Sequence, residues 1–196
     1  MDARGRRLFI AVPLPADVVD EVRGIVEAVR AEPLPGGARD VRWVRLDGLH
    51  LSIRFLGPTP EERLPALIEA VEAAAASVDG PIDLELAGSG TFPAGRRPRV
   101  LWIGVQTATE RLARLAVATE DQLARHGWER DGRPFRAHLT LARSDGIAVA
   151  DLVAARLAAA VGDRRIPARI DRLGLFESIT GGGPARYEPL AIRNLA

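Results

Sequence analysis

The tetrapeptide His50-Leu51-Ser52-Ile53 returns, with conservative changes, as His138-Leu139-Thr140-Leu141, and no other feature constrains the fold of this chain as much. Side chains along a strand alternate between its two faces. In each copy the histidine and the hydroxyl residue therefore share one face, and the two aliphatic residues share the other. One face belongs in a core; the opposite face carries an imidazole beside an alcohol. The copies lie nearly half of a 196-residue chain apart and hold two of its three histidines. A loose duplication of two strand-and-helix halves accounts for that spacing. If a pseudo-two-fold axis relates the halves, the two histidines face each other across one cleft.

The sequence around the motifs supplies such halves. Residues 7–12 read as a strand stopped by Pro13 and Pro15, and Val18, Val19, Val22, Ile25, Val26 and Val29 then recur at helical spacing. Asp17 is placed to cap that helix, and residues 33–37 end it. A short strand at 41–44 and an Asp47-Gly48 turn lead into a strand over 50–56, which Gly57-Pro58 should stop. A helix over 61–78, a strand at 82–86 and a loop over 88–98 follow, then an apolar central strand at 100–105. The third helix spans 109–126 and ends at Gly127; Asp131-Gly132 turns into the strand of the second motif. A fourth helix over 149–161 precedes final strands over 166–176 and 185–192, separated by the glycines at 181–183. The expected fold class is α+β: two pseudo-symmetric sheet-plus-helices lobes, with a central cleft, in one bilobal domain over residues 1–196.

Composition narrows the chemistry. There is no cysteine, which removes thiolate nucleophiles, disulfides and cysteine-ligated metal centres. The formal charge is only +1, so an anion must be held by a local site, and all 27 cationic side chains are arginine. The apolar run after the basic N-terminus is cut short by Pro13 and Pro15, and no stretch is long enough to span a bilayer. A cytoplasmic protein with no membrane association is expected. No G-x-S-x-G elbow or Gly-rich phosphate loop occurs, and three histidines without H-x-H or H-E-x-x-H support a metal site only weakly.

Imidazoles titrate near neutral pH, so one histidine can accept a proton while the other donates one. Ser52 and Thr140, on the same faces, can hydrogen-bond the non-bridging oxygens of a phosphodiester and stabilise its developing charge. His126 precedes Gly127 at a helix end and has a structural role there.

These residues, with their flanks, resemble a known family. The stretches R-L-F-I-A-V-P-L-P (7–15), L-H-L-S-I-R-F-L-G (49–57), G-T-F-P (90–93), P-R-V-L-W-I-G-V (98–105), R-P-F-R-A-H-L-T-L-A-R (133–143) and L-F-E-S (175–178) are similar to those of the two-histidine phosphoesterase superfamily. The branch is that of the RNA 2′,3′-cyclic phosphodiesterases, also called the 2′-5′ RNA ligase family. The resemblance implies a bilobal fold and metal-independent opening of a terminal 2′,3′-cyclic phosphate to a 2′-phosphomonoester, with reversible 2′-5′ joining in some relatives. It implies catalytic roles for His50 and His138, phosphate contacts from Ser52, Thr140 and Arg143, and stacking of the terminal base on Phe9. No metal or other cofactor is expected. The expected partner is RNA with a 2′,3′-cyclic phosphate end, tRNA fragments included, bound by a monomer.

Two positions depart from the family pattern: Ser52 stands where Thr is commoner, and Ala137 replaces the usual Pro before the second histidine. Neither removes a functional group. Arg143 raises a geometric question, because it lies an odd number of residues past His138 and an ideal strand would aim it away from the cleft. A bulge or strand end must intervene. Arg54 and Arg136 share the parity of the motif histidines and are secondary candidates. Phe9, out of phase with Leu8 and Ile10, is placed to face the cleft, although a lone strand Phe commonly belongs to a core. For the acid–base order, His138 activating water and His50 protonating the 3′-oxygen is the favoured reading, and the reverse stays open. An RNA-end binding protein, or a phosphodiesterase of small cyclic or 2′-5′-linked nucleotides, is the alternative function.

Overall fold

The structure, a computed structural model, describes residues 5–37, 40–181 and 183–196. Residues 38 and 39, Gly182 of the glycine run, and residues 1–4 of the basic N-terminus lie outside the described residues. Nine strands and four α-helices follow in the order β1 (Arg6–Pro13), α1 (Ala16–Ala31), β2 (Arg42–Trp43), β3 (His50–Thr59), α2 (Leu64–Ala76), β4 (Ile82–Phe92) and β5 (Val100–Val105). Then come α3 (Thr109–Arg125), β6 (His138–Arg143), α4 (Val149–Val161), β7 (Arg165–Ile170), β8 (Arg172–Ile179) and β9 (Arg186–Asn194). All pairings are antiparallel, and the sheet is continuous in the order β7-β4-β5-β6-β3-β1-β8-β9, with β2 added to β6.

The two motifs lie at the centre of this sheet. β3 and β6 meet at one residue pair, Leu51 opposite Leu139. Both leucines are fully buried, which fixes the inner face. On either side of this seam stand four strands, β7-β4-β5-β6 and β3-β1-β8-β9, so the bilobal α+β expectation holds. The helices cross between the lobes. α1 follows β1 of the first lobe yet packs against α4 and β7 of the second; α3 joins β5 and β6 of the second yet packs against α2 and β3. The apolar stripe that periodicity marks on α1 (Val18, Val22, Ile25, Val26, Val29) is buried in this way.

Several boundaries differ from the sequence reading, each for a tertiary reason. Gly57-Pro58 does not stop β3, because β1 pairs along it, with Leu8 opposite Gly57 and Arg7 opposite Pro58. The predicted loop from residue 88 is strand as far as Phe92, held by β5 through Gly90 opposite Trp102 and Phe92 opposite Val100. A side chain at Gly90 would collide with the Trp102 indole, so close approach is what that glycine provides. The strand expected over 166–176 is two strands, broken at Asp171, that go to opposite lobes of the sheet, β7 to one edge and β8 between β1 and β9. Asp17 does not cap α1: Pro15 holds that position with no side-chain bond, and Asp17 lies in the first turn, where its charge favours the helix dipole. Gly127, with φ 79°, ends α3 as expected.

Candidate active site

Both motif histidines are oriented by the same device. The Nδ1 of His50 lies 2.7 Å from the carbonyl oxygen of Gly48, and the Nδ1 of His138 lies 2.7 Å from that of Arg136. A carbonyl oxygen only accepts, so each Nδ1 carries the proton and donates it. In the neutral ring this leaves Nε2 with its lone pair free for a ligand. The register of the Leu51–Leu139 pair aligns His50 with Thr140 and Ser52 with His138 across the seam. The two imidazole–hydroxyl pairs are therefore related by an approximate two-fold through those leucines.

Burial pushes both imidazoles below their ordinary value of 6.5, against the carbonyl bonds, which favour the charged form; the Arg143 charge adds to the lowering. Protonated His138 further lowers His50. His50 is the more enclosed of the two, packed between Phe9 (ring centroids 4.9 Å apart) and Tyr187 (5.0 Å, edge-on). His138 rests edge-on against Phe92 at 5.0 Å.

Arg143 reaches this cleft because β6 carries a bulge. Thr140 pairs with Trp102 and Ala142 with Leu101, so Leu141 is the extra residue. Leu141 and Ala142 are buried in succession, and Arg143 emerges on the histidine face. β3 has the same device twice, with extra residues at Ile53 and Leu56. The first moves Arg54 off the cleft face, contrary to its parity. Its guanidinium instead pairs with Glu120 of α3 (3.2 Å) and Asp131 (3.4 Å) and donates to the Glu129 carbonyl oxygen (2.6 Å). The same shift turns Phe55 toward the cleft, opposite Phe9 and half exposed.

Phe9 does lie in the cleft wall, but it is 2% exposed, stacked on Phe176 (5.4 Å) and flanked by Tyr187, Phe55 and His50. Phe9 borders the chamber that holds His50, with most of its ring covered by these neighbours. Phe55 offers the exposed ring. Arg136 holds His138 through its backbone, and His126 lies outside the cleft, its carbonyl oxygen accepting from Arg63 (2.9 Å).

The cleft has two chambers. One, of about 560 Å³, is lined by His50, Phe9, Tyr187, Thr140, Arg143 and Ser178, among others. The other, of about 550 Å³, holds His138. Ser52, Phe55 and Arg133 line both. A larger hollow of about 910 Å³ beside α1 and β2 is rich in arginine but has no histidine, and its Arg42 and Arg45 are already paired with Asp145 and Asp47. The imidazoles, not the volume, mark the site.

Sequence reasoning missed Tyr187, Phe55 and Arg133. Tyr187 is the chain's single tyrosine and sits on β9, far from either motif in sequence, so no local pattern connects it to His50. The Phe55 orientation depends on a bulge that alternation cannot show. Arg133, next to the Asp131-Gly132 turn, lies in an arginine-rich run that reads equally as an RNA-facing stretch or a solvated face. In the structure Asp131 holds it by two bonds of 2.9 and 2.7 Å.

Known proteins are similar to this one over most of its length. The family model described as the 2′-5′ RNA ligase superfamily matches residues 15–182. An RNA 2′,3′-cyclic phosphodiesterase of Archaeoglobus fulgidus is 36% identical over 137 residues, 70% of this chain and 72% of that protein. The protein of that name from Escherichia coli is 35% identical over 145 residues, 74% of this chain and 75% of the relative. Among solved structures, E. coli LigT complexed with 3′-AMP superposes with a TM-score of 0.68 at 27% identity, covering 97% of this chain and 98% of the other. A structure described as a phosphoesterase gives 0.72 at 29% identity, with 97% and 98% covered. Sequence and fold agree that the chain belongs to the 2′-5′ RNA ligase superfamily.

Proposed function

We propose that this protein hydrolyses the 2′,3′-cyclic phosphate end of RNA to a 2′-phosphomonoester, with no metal ion in the chemistry. The observation that carries the reading is the pair of imidazoles locked by their Nδ1 bonds, with both Nε2 atoms left for one cleft that also contains Arg143. The names of its relatives, RNA 2′,3′-cyclic phosphodiesterases, and the 3′-AMP held by LigT point to the same substrate class.

In this reading the more open His138 takes a proton from water at Nε2. The enclosed His50 enters this step as an imidazolium, protonated at Nε2 as well as Nδ1. The water oxygen bonds to phosphorus, the bond from phosphorus to O3′ breaks, and the departing O3′ takes that Nε2 proton. The 2′-oxygen stays on phosphorus. Ser52 and Thr140 donate to the non-bridging oxygens, and Arg143 neutralises them. Such acid–base groups are worth about 10²–10⁴-fold each. A 5′-hydroxyl in the place of water would give 2′-5′ joining by the same steps. β1 and β9 share one sheet with both motifs, which supports a single domain over the described residues.

The test is an RNA oligomer ending in a 2′,3′-cyclic phosphate, incubated in EDTA, with 2′- and 3′-phosphate products resolved. Conversion to the 2′-phosphate is expected. Tight binding without conversion would overturn hydrolysis in favour of end binding, and neither would point to a small nucleotide. The acid–base order has its own test: a substrate with sulfur at the 3′-leaving position needs no proton donor, so it should restore turnover to His50→Ala but not to His138→Ala.

A further inference from the structure

Beyond His138 and Ser52, the walls of the second chamber have no role in the reaction just described, which places one nucleoside next to the phosphorus. This chamber lies in the wedge that opens where β3 and β6 part beyond the Leu51–Leu139 pair. Its walls are Ile53, Phe55 and Phe92 with the loop at 130–136, and α3 contributes Ala116, Val117 and Glu120. Phe55 and Val117 are among the few large hydrophobic side chains left exposed, at 52% and 59%, and both face this hollow. Exposed aromatic and aliphatic surface in a nucleotide-sized concavity is costly unless a flat apolar ligand covers it.

The rim supplies the opposite chemistry. Arg130, Arg133 and Arg136 border the chamber. Arg133 is held in place: Asp131 accepts from its Nε and Nη2, while the side chain as a whole is 79% exposed and its Nη1 can donate elsewhere. Asp131 is itself fixed by Arg54, so the position of Arg133 is inherited from the buried link to α3. Phe55 and Arg133 are also the side chains, with Ser52, that both chambers share. Consecutive nucleotides present two bases joined by one phosphate. An aromatic wedge and a fixed arginine between two chambers match that arrangement.

We infer that this second chamber is a subsite for the nucleotide immediately 5′ of the cyclic end, with Phe55 separating the two bases, Val117 and Phe135 against the upstream base, and Arg133 on the phosphate that joins the nucleotides. The inference rests on the phosphodiesterase reading and makes the enzyme selective for RNA over cyclic mononucleotides. Contacts of this type are sequence-tolerant, because every base has a flat face.

Three substrates separate the contributions: a nucleoside 2′,3′-cyclic phosphate, the same compound with a 5′-phosphate, and a dinucleotide ending in the cyclic phosphate. The wild-type protein should prefer the dinucleotide over the first by about ten-fold or more in kcat/KM. In Arg133→Gln the gain from adding a 5′-phosphate should disappear. In Val117→Asp, where an exposed position makes misfolding no concern, the further gain from adding the upstream nucleoside should disappear. Equal turnover of all three substrates by the wild-type protein would overturn the subsite and leave the phosphodiesterase reading intact. Turnover of none would overturn both. Unchanged substrate ratios in Val117→Asp, with loss of 2′-5′ joining to an added 5′-hydroxyl nucleoside, would replace the upstream nucleotide by an acceptor.

Discussion

At the scale of single residues the site is governed by burial. Both imidazoles are held below 6.5 chiefly because the cleft withholds water, and Arg143 acts in the same direction. His138 must be neutral to take a proton from water, so the acidic limb of the kcat/KM profile, which follows its titration, should fall below pH 6.5. Removing the Arg143 charge with Arg143→Gln should move that limb upward, toward the ordinary imidazole value, while turnover drops through loss of phosphate binding. A profile that does not move would separate Arg143 from the histidines. Tyr187 makes the same point through desolvation, since its ring closes one side of His50. Gly48 is needed for that contact: a Cβ there would stand 2.9 Å from the Tyr187 ring. Gly48→Ala should therefore displace the ring and reduce kcat/KM by about ten-fold, a consequence of misplacing a catalytic group rather than removing one. Steady-state kinetics beside an unchanged melting temperature would check it.

At the scale of elements, the bulges decide which side chains meet. Period-two alternation places His50, Ser52, His138 and Thr140 on one face, and the structure agrees. The same rule fails for Arg54, Phe55 and Arg143, each beyond an extra residue at Ile53 or Leu141. Arg54 is turned into the packing with α3, where its side chain is 11% exposed and that of Glu120 18%. Burying two charges is costly, but leaving one alone costs more. Arg54→Met should destabilise the protein by about 2–4 kcal/mol, and adding Glu120→Leu should recover much of that loss. Urea unfolding of the three variants measures the coupling. Leu139 is also an element-scale residue: it is fully buried and pairs with Leu51 beneath both histidines. Leu139→Ala should cost about 2–5 kcal/mol through the cavity it leaves.

At the scale of the whole molecule, the site exists because two lobes share one sheet and exchange helices. α1 and α3 each tie a lobe's connections to the opposite lobe, so the two histidine strands are held by packing from both sides. Stability and catalysis are linked through the histidines. Their folded pKa values lie below the unfolded 6.5, so the unfolded chain takes up protons first as pH falls. Their contribution to stability is fully present above pH 6.5 and is lost as pH drops through the lower folded values. Asp131, held at about 2 chiefly by its bond to Arg133, contributes a separate loss at much lower pH. Unfolding free energies at pH 7.5 and 5.5 should differ in this sense, and the difference should shrink in His50→Gln/His138→Gln. An equal slope in that double variant would place the proton uptake elsewhere.

The chain by itself determined the paired motifs, the faces of their strands, the four helices and the α+β class, because these depend on residue type and local period. It also pointed to a charge-neutral protein with a local anion site, and through its flanks to the family. What only the tertiary structure decided is non-local. Pairing with β1 carried β3 past Gly57-Pro58, and pairing with β5 made strand of a Gly-rich segment. Bulges forced by those registers delivered Arg143 and Phe55 to the cleft and took Arg54 away from it. Packing of Phe9 under Tyr187 and Phe176 made it part of the cleft wall. Register and packing come from partners far along the chain, and no local periodicity records them.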